Sequence, residues 1–147
     1  MSTTAGVILL GGGALEVLIP GCGPAGDDDD IASPTATPDV QNGILTLPLA
    51  TNLALQPVDG FEAFIVNPAG SIIVIHTAAS TFVCLSRRCT HQQCTVAYSA
   101  SGGTLNCPCH GSKFTTTGSV AQGPASTPLH SYATTFDGTN VVVDLNS

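Results

Sequence analysis

Two short segments of this 147-residue chain concentrate the side chains that bind soft transition metals. The first, Cys89–Cys94, reads CTHQQC, and the second, Cys107–Ser112, reads CPCHGS. Each segment pairs one cysteine with a nearby histidine, and each carries one further cysteine. Thiolate and imidazole are ligands of zinc and of iron–sulfur clusters. The spacing therefore predicts one metal centre that is built from both segments.

The spacing C-x-H-x2-C, followed by C-x-C-H-G-S, resembles the Rieske [2Fe–2S] family. Members of that family hold one iron by two cysteines and the other by two histidines. The resemblance implies four ligands here: Cys89 and Cys107 on one iron, and His91 and His110 on the other. Because neutral imidazole replaces thiolate, such a cluster has a higher reduction potential than an all-cysteine cluster.

The two remaining cysteines of these segments, Cys94 and Cys109, match a disulfide that joins the cluster loops in respiratory and photosynthetic members of the family. Oxygenase-type Rieske ferredoxins lack this pair. The resemblance therefore points to the disulfide-containing, respiratory or arsenite-oxidase-like branch. A disulfide also indicates a compartment outside the cytosol, so the domain is expected to be periplasmic or otherwise extracytoplasmic.

The same resemblance implies residues that tune the cluster. Ser112 falls where high-potential members place a hydroxyl on a bridging sulfide, and Pro124 falls in the segment that covers the cluster. Phe114 stands where the family often has a tyrosine hydroxyl, so one potential-raising donor is missing. Gln92 and Gln93 replace an apolar residue and a glycine of quinol-oxidising members, which predicts a polar surface and the loss of a tight glycine turn. These departures predict a mid-range potential.

Zinc is the main alternative, since two cysteines and two histidines also describe a tetrahedral zinc site. A zinc finger usually groups its cysteines together and its histidines together, with a helix carrying the latter. This chain divides both residue types between two segments that contain Gly and Pro. Two disulfides with incidental histidines would leave the matching offsets unexplained. Cys84, in a strand-like apolar run, is expected to be a buried core residue.

The chain from residue 41 onward predicts an all-β domain, because β-rich runs alternate with turn signals and no 3.6-residue period is sustained. The expected strands are Ile44–Leu47, Glu62–Val66, Ser71–His76, Thr81–Ser86, Thr95–Tyr98, Thr104–Asn106, Ser131–Phe136 and Asn140–Leu145. The resemblance implies the Rieske fold, in which small antiparallel sheets stack and a two-loop cluster-binding subdomain is inserted. That subdomain is expected at about residues 86–127 of a domain spanning 41–147.

The first forty residues have a different composition. Residues 1–22 contain two short apolar runs, Val7–Leu10 and Ala14–Ile19. Because glycines and Glu16 interrupt it, this stretch is too short and too broken for a membrane span of about 20 apolar residues. They resemble a secretory signal or anchoring segment that ends at Cys22 in a lipobox-like setting, where acylation would tether the protein to a membrane. An apolar tail packed on another subunit is the alternative. Residues 23–40, with the acidic run Asp27–Asp30, predict an extended linker.

Charge and length restrict the function. The formal net charge is −7, but from Val40 onward four carboxylates stand against only three cationic residues. The absence of a basic patch excludes nucleic-acid binding. Arg87 and Arg88, just before the first segment, could attract an acidic partner. The chain is also too short to add the mononuclear iron domain of an oxygenase.

The sequence therefore predicts an electron-transfer protein without catalytic residues of its own. Its expected partner is a redox protein, either a cytochrome or a molybdenum enzyme subunit. Two alternatives stay open: the Rieske subunit of a cytochrome bc-type quinol oxidase, and a structural subunit of a larger assembly. The missing membrane helix, the polar Gln92 and Gln93, and Phe114 weigh against the quinol oxidase.

Overall fold

The computed structural model describes Pro38 and residues 40–147. The signal-like segment 1–22 with Cys22, the linker up to residue 37, and Asp39 lie outside the described residues. The described residues form eleven β-strands and one 3-10 turn, Leu53–Leu55, with no α-helix among them. This content confirms the predicted all-β class.

The strands are numbered here in chain order. They are β1 Val40–Gln41, β2 Ile44–Pro48, β3 Phe61–Val66, β4 Gly70–Ala78, β5 Thr81–Ser86, β6 Ala97–Ser99, β7 Thr104–Asn106, β8 Lys113–Thr115, β9 Val120–Gln122, β10 Ser131–Phe136 and β11 Asn140–Asp144. One antiparallel sheet has the order β1-β2-β11-β10-β5-β4-β3, and a smaller one has the order β6-β7-β8-β9. The smaller sheet is continuous in sequence and inserted between β5 and β10.

Strand β4 connects the two parts of the molecule because both of its faces are buried. Successive side chains of a strand point to opposite faces. Ile72 and Val74 belong to a core that lies within the large sheet, whereas Ile73 and Ile75 belong to a second core shared with the small sheet. A strand buried on both faces has a continuous apolar run, as this one does.

The second core carries the two metal-binding segments. Its buried members are Ile73, Ile75, Leu85, Cys89, Val96, Tyr98, Leu105, Cys107, Phe114, Ala125 and Leu129. Full burial of a side chain of leucine or phenylalanine size contributes about 1.5–3 kcal/mol. This core therefore holds the segments against the large sheet, and it includes two of the predicted ligands, Cys89 and Cys107.

The structure adds three short strands that the sequence does not predict. Strand β1 begins at Val40, the last residue of the predicted linker, and pairs Val40 with Leu45. Strands β8 and β9 have three residues each and flank a turn at Gly118. Runs of three residues carry little periodic signal, and pairing with β7 and with each other defines these two strands.

Candidate metal centre

Both predicted metal-binding segments form the same backbone turn. In loop 1, Cys89–Cys94, the N–H of Cys89 donates to the carbonyl of Cys94, and the N–H of Gln93 donates to the carbonyl of Cys89, both at 2.8 Å. In loop 2, Cys107–Ser112, the two equivalent bonds measure 2.8 and 3.0 Å. Counted from their first cysteines, the loops therefore have equivalent hydrogen bonds at equivalent positions.

The fifth residue of each loop has a left-handed backbone. Gln93 in loop 1 has a φ of 63°, and Gly111 in loop 2 has a φ of 75°. Glycine adopts this region freely, whereas other L-residues pay about 1–2 kcal/mol for it. The prediction that Gln93 removes the tight turn is therefore wrong, because the turn is present and the glutamine accommodates it.

The sulfurs of Cys89 and Cys107 lie in hydrogen-bond contact with each other. Both residues are buried, with 0% and 3% of their surface exposed. Burial raises the pKa of the Cys107 thiol, and the Cys89 sulfur raises it further. The backbone N–H groups of Cys109 and His110 donate to the Cys107 sulfur and act in the opposite direction. Such donors stabilise a thiolate that binds metal.

The two histidines complete the set on the outer side. The ring centroids of His91 and His110 are 4.9 Å apart, and the rings are nearly perpendicular at 84°. His91 is half-buried and His110 is exposed. The Nδ1 atom of His91 is buried and has no hydrogen-bond partner among the described residues. A buried polar atom without a partner is unfavourable unless a bound group satisfies it.

The remaining pair, Cys94 and Cys109, forms a disulfide between the two loops with an S–S distance of 2.02 Å. This confirms the predicted bridge. The sulfurs of Cys94, Cys107 and Cys109 all lie within 4.8 Å of one another. Because Cys94 and Cys109 are bonded to each other, only Cys107 of these three offers a thiolate, and the disulfide lies next to it.

A third segment, residues 123–128, packs over both loops. The N–H of Ala125, next to the exposed Pro124, donates to the Ser112 hydroxyl at 3.0 Å. Ser112 is fully buried, and its hydroxyl keeps its own proton for another acceptor. On the other side, the Thr90 hydroxyl donates to the carbonyl of Thr127 at 2.7 Å. No sequence motif predicts this second link, since Thr90 lies between two predicted ligands and belongs to no motif of its own.

Two other side chains lie where the sequence predicts. Phe114 is fully buried in the second core and pairs with Leu105 across β8 and β7. It therefore supplies packing without a hydroxyl. Cys84 is fully buried in the core of the large sheet, which raises the pKa of its thiol far above the ordinary value. An inert, buried thiol confirms its predicted role as a core residue.

These residues fit a [2Fe–2S] cluster. Two adjoining cysteine sulfurs, one imidazole nitrogen without a partner, a second imidazole beside it, and a buried hydroxyl with a proton to donate form one constellation. The backbone donors on the Cys107 sulfur suit any metal-bound thiolate, but a tetrahedral zinc site has no bridging sulfide that would need the buried hydroxyl. The fold and this constellation define a small all-β domain with a mixed cysteine–histidine metal centre.

The family model of the Rieske [2Fe-2S] domain matches residues 55–133. This is more than half of the chain, which therefore belongs to the Rieske family, whose domain binds a [2Fe–2S] cluster. The match includes both loops and the segment that covers them, which are the parts that carry the metal-binding geometry.

Curated relatives agree with this assignment. The chain is 41% identical over 69 residues to the cytochrome b6-f complex iron-sulfur subunit of Synechococcus sp. (strain JA-3-3Ab), covering 47% of this chain and 40% of that protein. It is 31% identical over 93 residues to the cytochrome b6-f complex iron-sulfur subunit 1 of Synechocystis sp. (strain ATCC 27184 / PCC 6803 / Kazusa), covering 61% of this chain and 52% of that protein. The chain thus spans about half the length of these relatives or less.

The fold is shared with a solved structure, the ferredoxin of carbazole 1,9a-dioxygenase from Nocardioides aromaticivorans IC177. The TM-score is 0.52 at 22% sequence identity, covering 74% of this chain and 97% of that chain. This confirms the predicted Rieske fold. None of the described residues belongs to a helix that is long and apolar enough to span a membrane.

Proposed function

We propose that this chain is a one-electron carrier whose cluster ligands are the four residues that the two loops bring together: Cys89 and Cys107 on one iron, and His91 and His110 on the other. The single observation that best supports this assignment is the buried Nδ1 of His91, which has no other partner. When bound, the [2Fe–2S] cluster supplies a reversible one-electron change between ferric and ferrous iron.

The protein side chains direct the electron and set its energy. Cys89 and Cys107 face the second core, whereas the rings of His91 and His110 lie toward solvent and give the shortest path to a partner. The buried Ser112 hydroxyl and the N–H donors on Cys107 favour the more negative, reduced state. Phe114 adds no donor, which supports a potential below that of the quinol-oxidising members.

The proposed partner is a cytochrome-containing redox complex on the extracytoplasmic side of a membrane. The names of the relatives support this choice, since both are iron-sulfur subunits of cytochrome b6-f complexes. The Cys94–Cys109 disulfide supports the compartment, because such bonds persist in oxidising environments. Acylation of Cys22 would supply a tether, and residues 41–147 would form the electron-transfer domain.

A molybdenum enzyme subunit is the second candidate partner. Gln92 and Gln93 are both exposed beside His91, so the surface next to this ligand is polar. An apolar quinol pocket is a poor complement for such a surface, because the two amides would lose water without gaining partners. Isolation of the native complex separates the candidates, since the co-purifying cofactor is either haem or molybdenum.

EPR spectroscopy of the dithionite-reduced protein tests the proposed function. We expect two irons per chain and a rhombic signal whose average g value is typical of mixed histidine and cysteine ligation. Couplings to two nitrogen nuclei should vanish one at a time in the variants His91→Cys and His110→Cys. The variant His130→Ala is the matched control, because His130 is exposed and lies outside both loops. An all-cysteine signal, or zinc without iron, would disprove the assignment.

The compartment and the tether have their own tests. Alkylation of thiols in intact cells, followed by mass spectrometry, should find Cys94 and Cys109 oxidised. An intact mass with a diacylglycerol group on Cys22 would support the tether, whereas an unprocessed Met1 without lipid would exclude it. A stable fragment that begins near residue 41 after limited proteolysis would support the proposed domain boundary.

A further inference from the structure

A polar depression of about 280 Å³ lies between loop 1 and the hairpin of β3 and β4. Its walls are the hairpin turn 68–71, Arg87 and Arg88, and Gln93 with Thr95. We call it the arginine pocket. None of these side chains is a proposed ligand, yet the pocket directly adjoins the loop that carries His91.

Positive charge is concentrated at this pocket. The whole chain has only three lysine and arginine residues, and two of them line the arginine pocket. The third, Lys113, is exposed on β8. From Val40 onward the formal charge is close to zero, and Arg87 is buried, so the exposed Arg88 carries the accessible positive charge of this pocket. Guanidinium groups match carboxylates by charge and by planar hydrogen-bond geometry.

Hydrogen bonds fix the backbone of Arg87 and Arg88 to strand β4 on one side and to the segment 95–96 on the other. The N–H of Arg87 donates to the carbonyl of Ser71 at 2.9 Å, and its Nε donates to the carbonyl of Val96 at 3.0 Å. Arg88 forms an antiparallel bridge with Thr95, and its N–H donates to the Ser86 hydroxyl at 3.2 Å. Arg88 itself is exposed. Because this backbone is already fixed, it loses little entropy when the exposed Arg88 side chain binds an anion.

An apolar groove of about 410 Å³ adjoins the arginine pocket and shares Arg87 and Thr95 with it. Its other walls include Ala97, Pro108 and the Cys94–Cys109 disulfide. Protein interfaces combine apolar area with a polar rim that carries charges. A free anion would use the pocket alone, whereas a protein surface would use both depressions. The pairing of the two therefore favours a protein as the occupant.

We propose that the arginine pocket and the apolar groove form the docking surface for an acidic redox-partner protein, with one partner carboxylate against Arg88 and apolar partner residues in the groove. This inference rests on the proposed electron-transfer function. A charge at the edge of such an interface mainly raises the association rate and makes it dependent on salt.

Stopped-flow oxidation of the reduced, full-length holoprotein tests the charge. The oxidants are an acidic c-type cytochrome, a basic c-type cytochrome and ferricyanide as a small free anion. With the acidic cytochrome at low ionic strength, Arg88→Gln should lower the second-order rate constant by about 5- to 10-fold, and Arg88→Lys by less than about 2-fold. Lys113→Gln is the matched control, because it removes the same charge elsewhere and should change this rate by less than about 2-fold. The basic cytochrome should not be slowed by Arg88→Gln.

Ala97→Arg tests the groove. Net charge alone predicts faster reaction with the acidic cytochrome, because this variant adds a cation. Docking in the groove predicts slower reaction, because the long side chain fills the space that the partner needs. The measurement is made at high ionic strength, where charge effects are screened. A rate that is unchanged or faster there would overturn the proposed docking surface.

Two further outcomes also overturn the inference. Equal slowing by Lys113→Gln would show an effect of net charge, and equal slowing of ferricyanide would show a site for any anion. The EPR spectrum and the potential of each variant are recorded first. A missing cluster in the wild-type protein refutes the proposed function, whereas an intact cluster with equal wild-type and Arg88→Gln rates refutes only the docking surface.

Discussion

Loops 1 and 2 share one backbone turn but differ in the residues that make the turn easy or costly. Loop 2 has Gly111 at the left-handed position, and loop 1 has Gln93 at the equivalent position. Loop 2 also directs two N–H groups at the sulfur of its first cysteine. Because the same two backbone hydrogen bonds close both loops, these bonds define the turn, and glycine at the fifth position only lowers the energy of the turn.

The histidines of the two loops differ as well. His91 of loop 1 is half-buried with an unpartnered Nδ1, whereas His110 of loop 2 is exposed. Loop 1 also adjoins the only concentration of positive charge in the described residues. We expect loop 1 to determine partner docking and loop 2 to determine the stability of the site.

Removal of a thiolate should have the largest effect, and it should be equal in the two loops. Cys89→Ser and Cys107→Ser are each expected to reduce the iron content from two per chain to near zero, because in the proposed assignment each loop would supply one sulfur to the same iron. Cys84→Ala is the control, since this thiol is buried in the other core. Retention of the cluster in one variant alone would show that the two loops do not contribute equally.

Removal of the disulfide that joins the loops should have the next largest effect, which is a loss of stability. It closes a loop with a sequence separation of 15, for which chain entropy predicts about 3 kcal/mol. The double variant Cys94→Ala/Cys109→Ala should lower the urea midpoint of the cluster-loaded protein by about 1.5 M. Wild-type protein with this bond reduced should show a similar midpoint. A loss below about 1 kcal/mol would show that core packing alone holds the loops together.

Much of this arrangement can be predicted from the sequence, and the limits are physical. The apolar run on β4 and the hairpin turns predict strands because periodicity and turn chemistry are local. The bridge between Cys94 and Cys109 follows from family resemblance. The link from Thr90 to Thr127 joins residues 37 positions apart, and no local pattern encodes it. The left-handed Gln93 is equally hidden, because the backbone hydrogen bonds that close loop 1 override the conformational preference of glutamine.

The variant Phe114→Tyr should raise the reduction potential of the cluster moderately, without changing the backbone turn of either loop. Phe114 shares the second core with Cys89 and Cys107, so a tyrosine there is expected to donate to a cysteine sulfur. One net hydrogen bond of about 1 kcal/mol corresponds to a rise in potential of about 40 mV for one electron. Protein-film voltammetry measures this shift. Ser112→Ala should move the potential in the opposite direction, and a lower potential in Phe114→Tyr would contradict the expectation.

Substitutions at the left-handed position should change the free energy of unfolding in opposite directions in the two loops. Gly111→Ala should lower the free energy of unfolding by about 1.5 kcal/mol, because no atom lies within 4 Å of the added Cβ and the whole effect is backbone strain. Gln93→Gly should raise it by about 0.5 kcal/mol, because relief of the left-handed strain exceeds the added entropy of the unfolded chain.

Gln92→Gly is the matched control for the Gln93 variant, since Gln92 is the neighbouring residue and its φ is not in the positive region. It should lower the free energy of unfolding by about 0.5–1 kcal/mol, which is the ordinary effect of adding a glycine. Urea denaturation of the cluster-loaded variants measures all three values. If Gln93→Gly and Gln92→Gly destabilise the protein equally, then the turn of loop 1 is unstrained, and the difference between the loops lies in their surfaces alone.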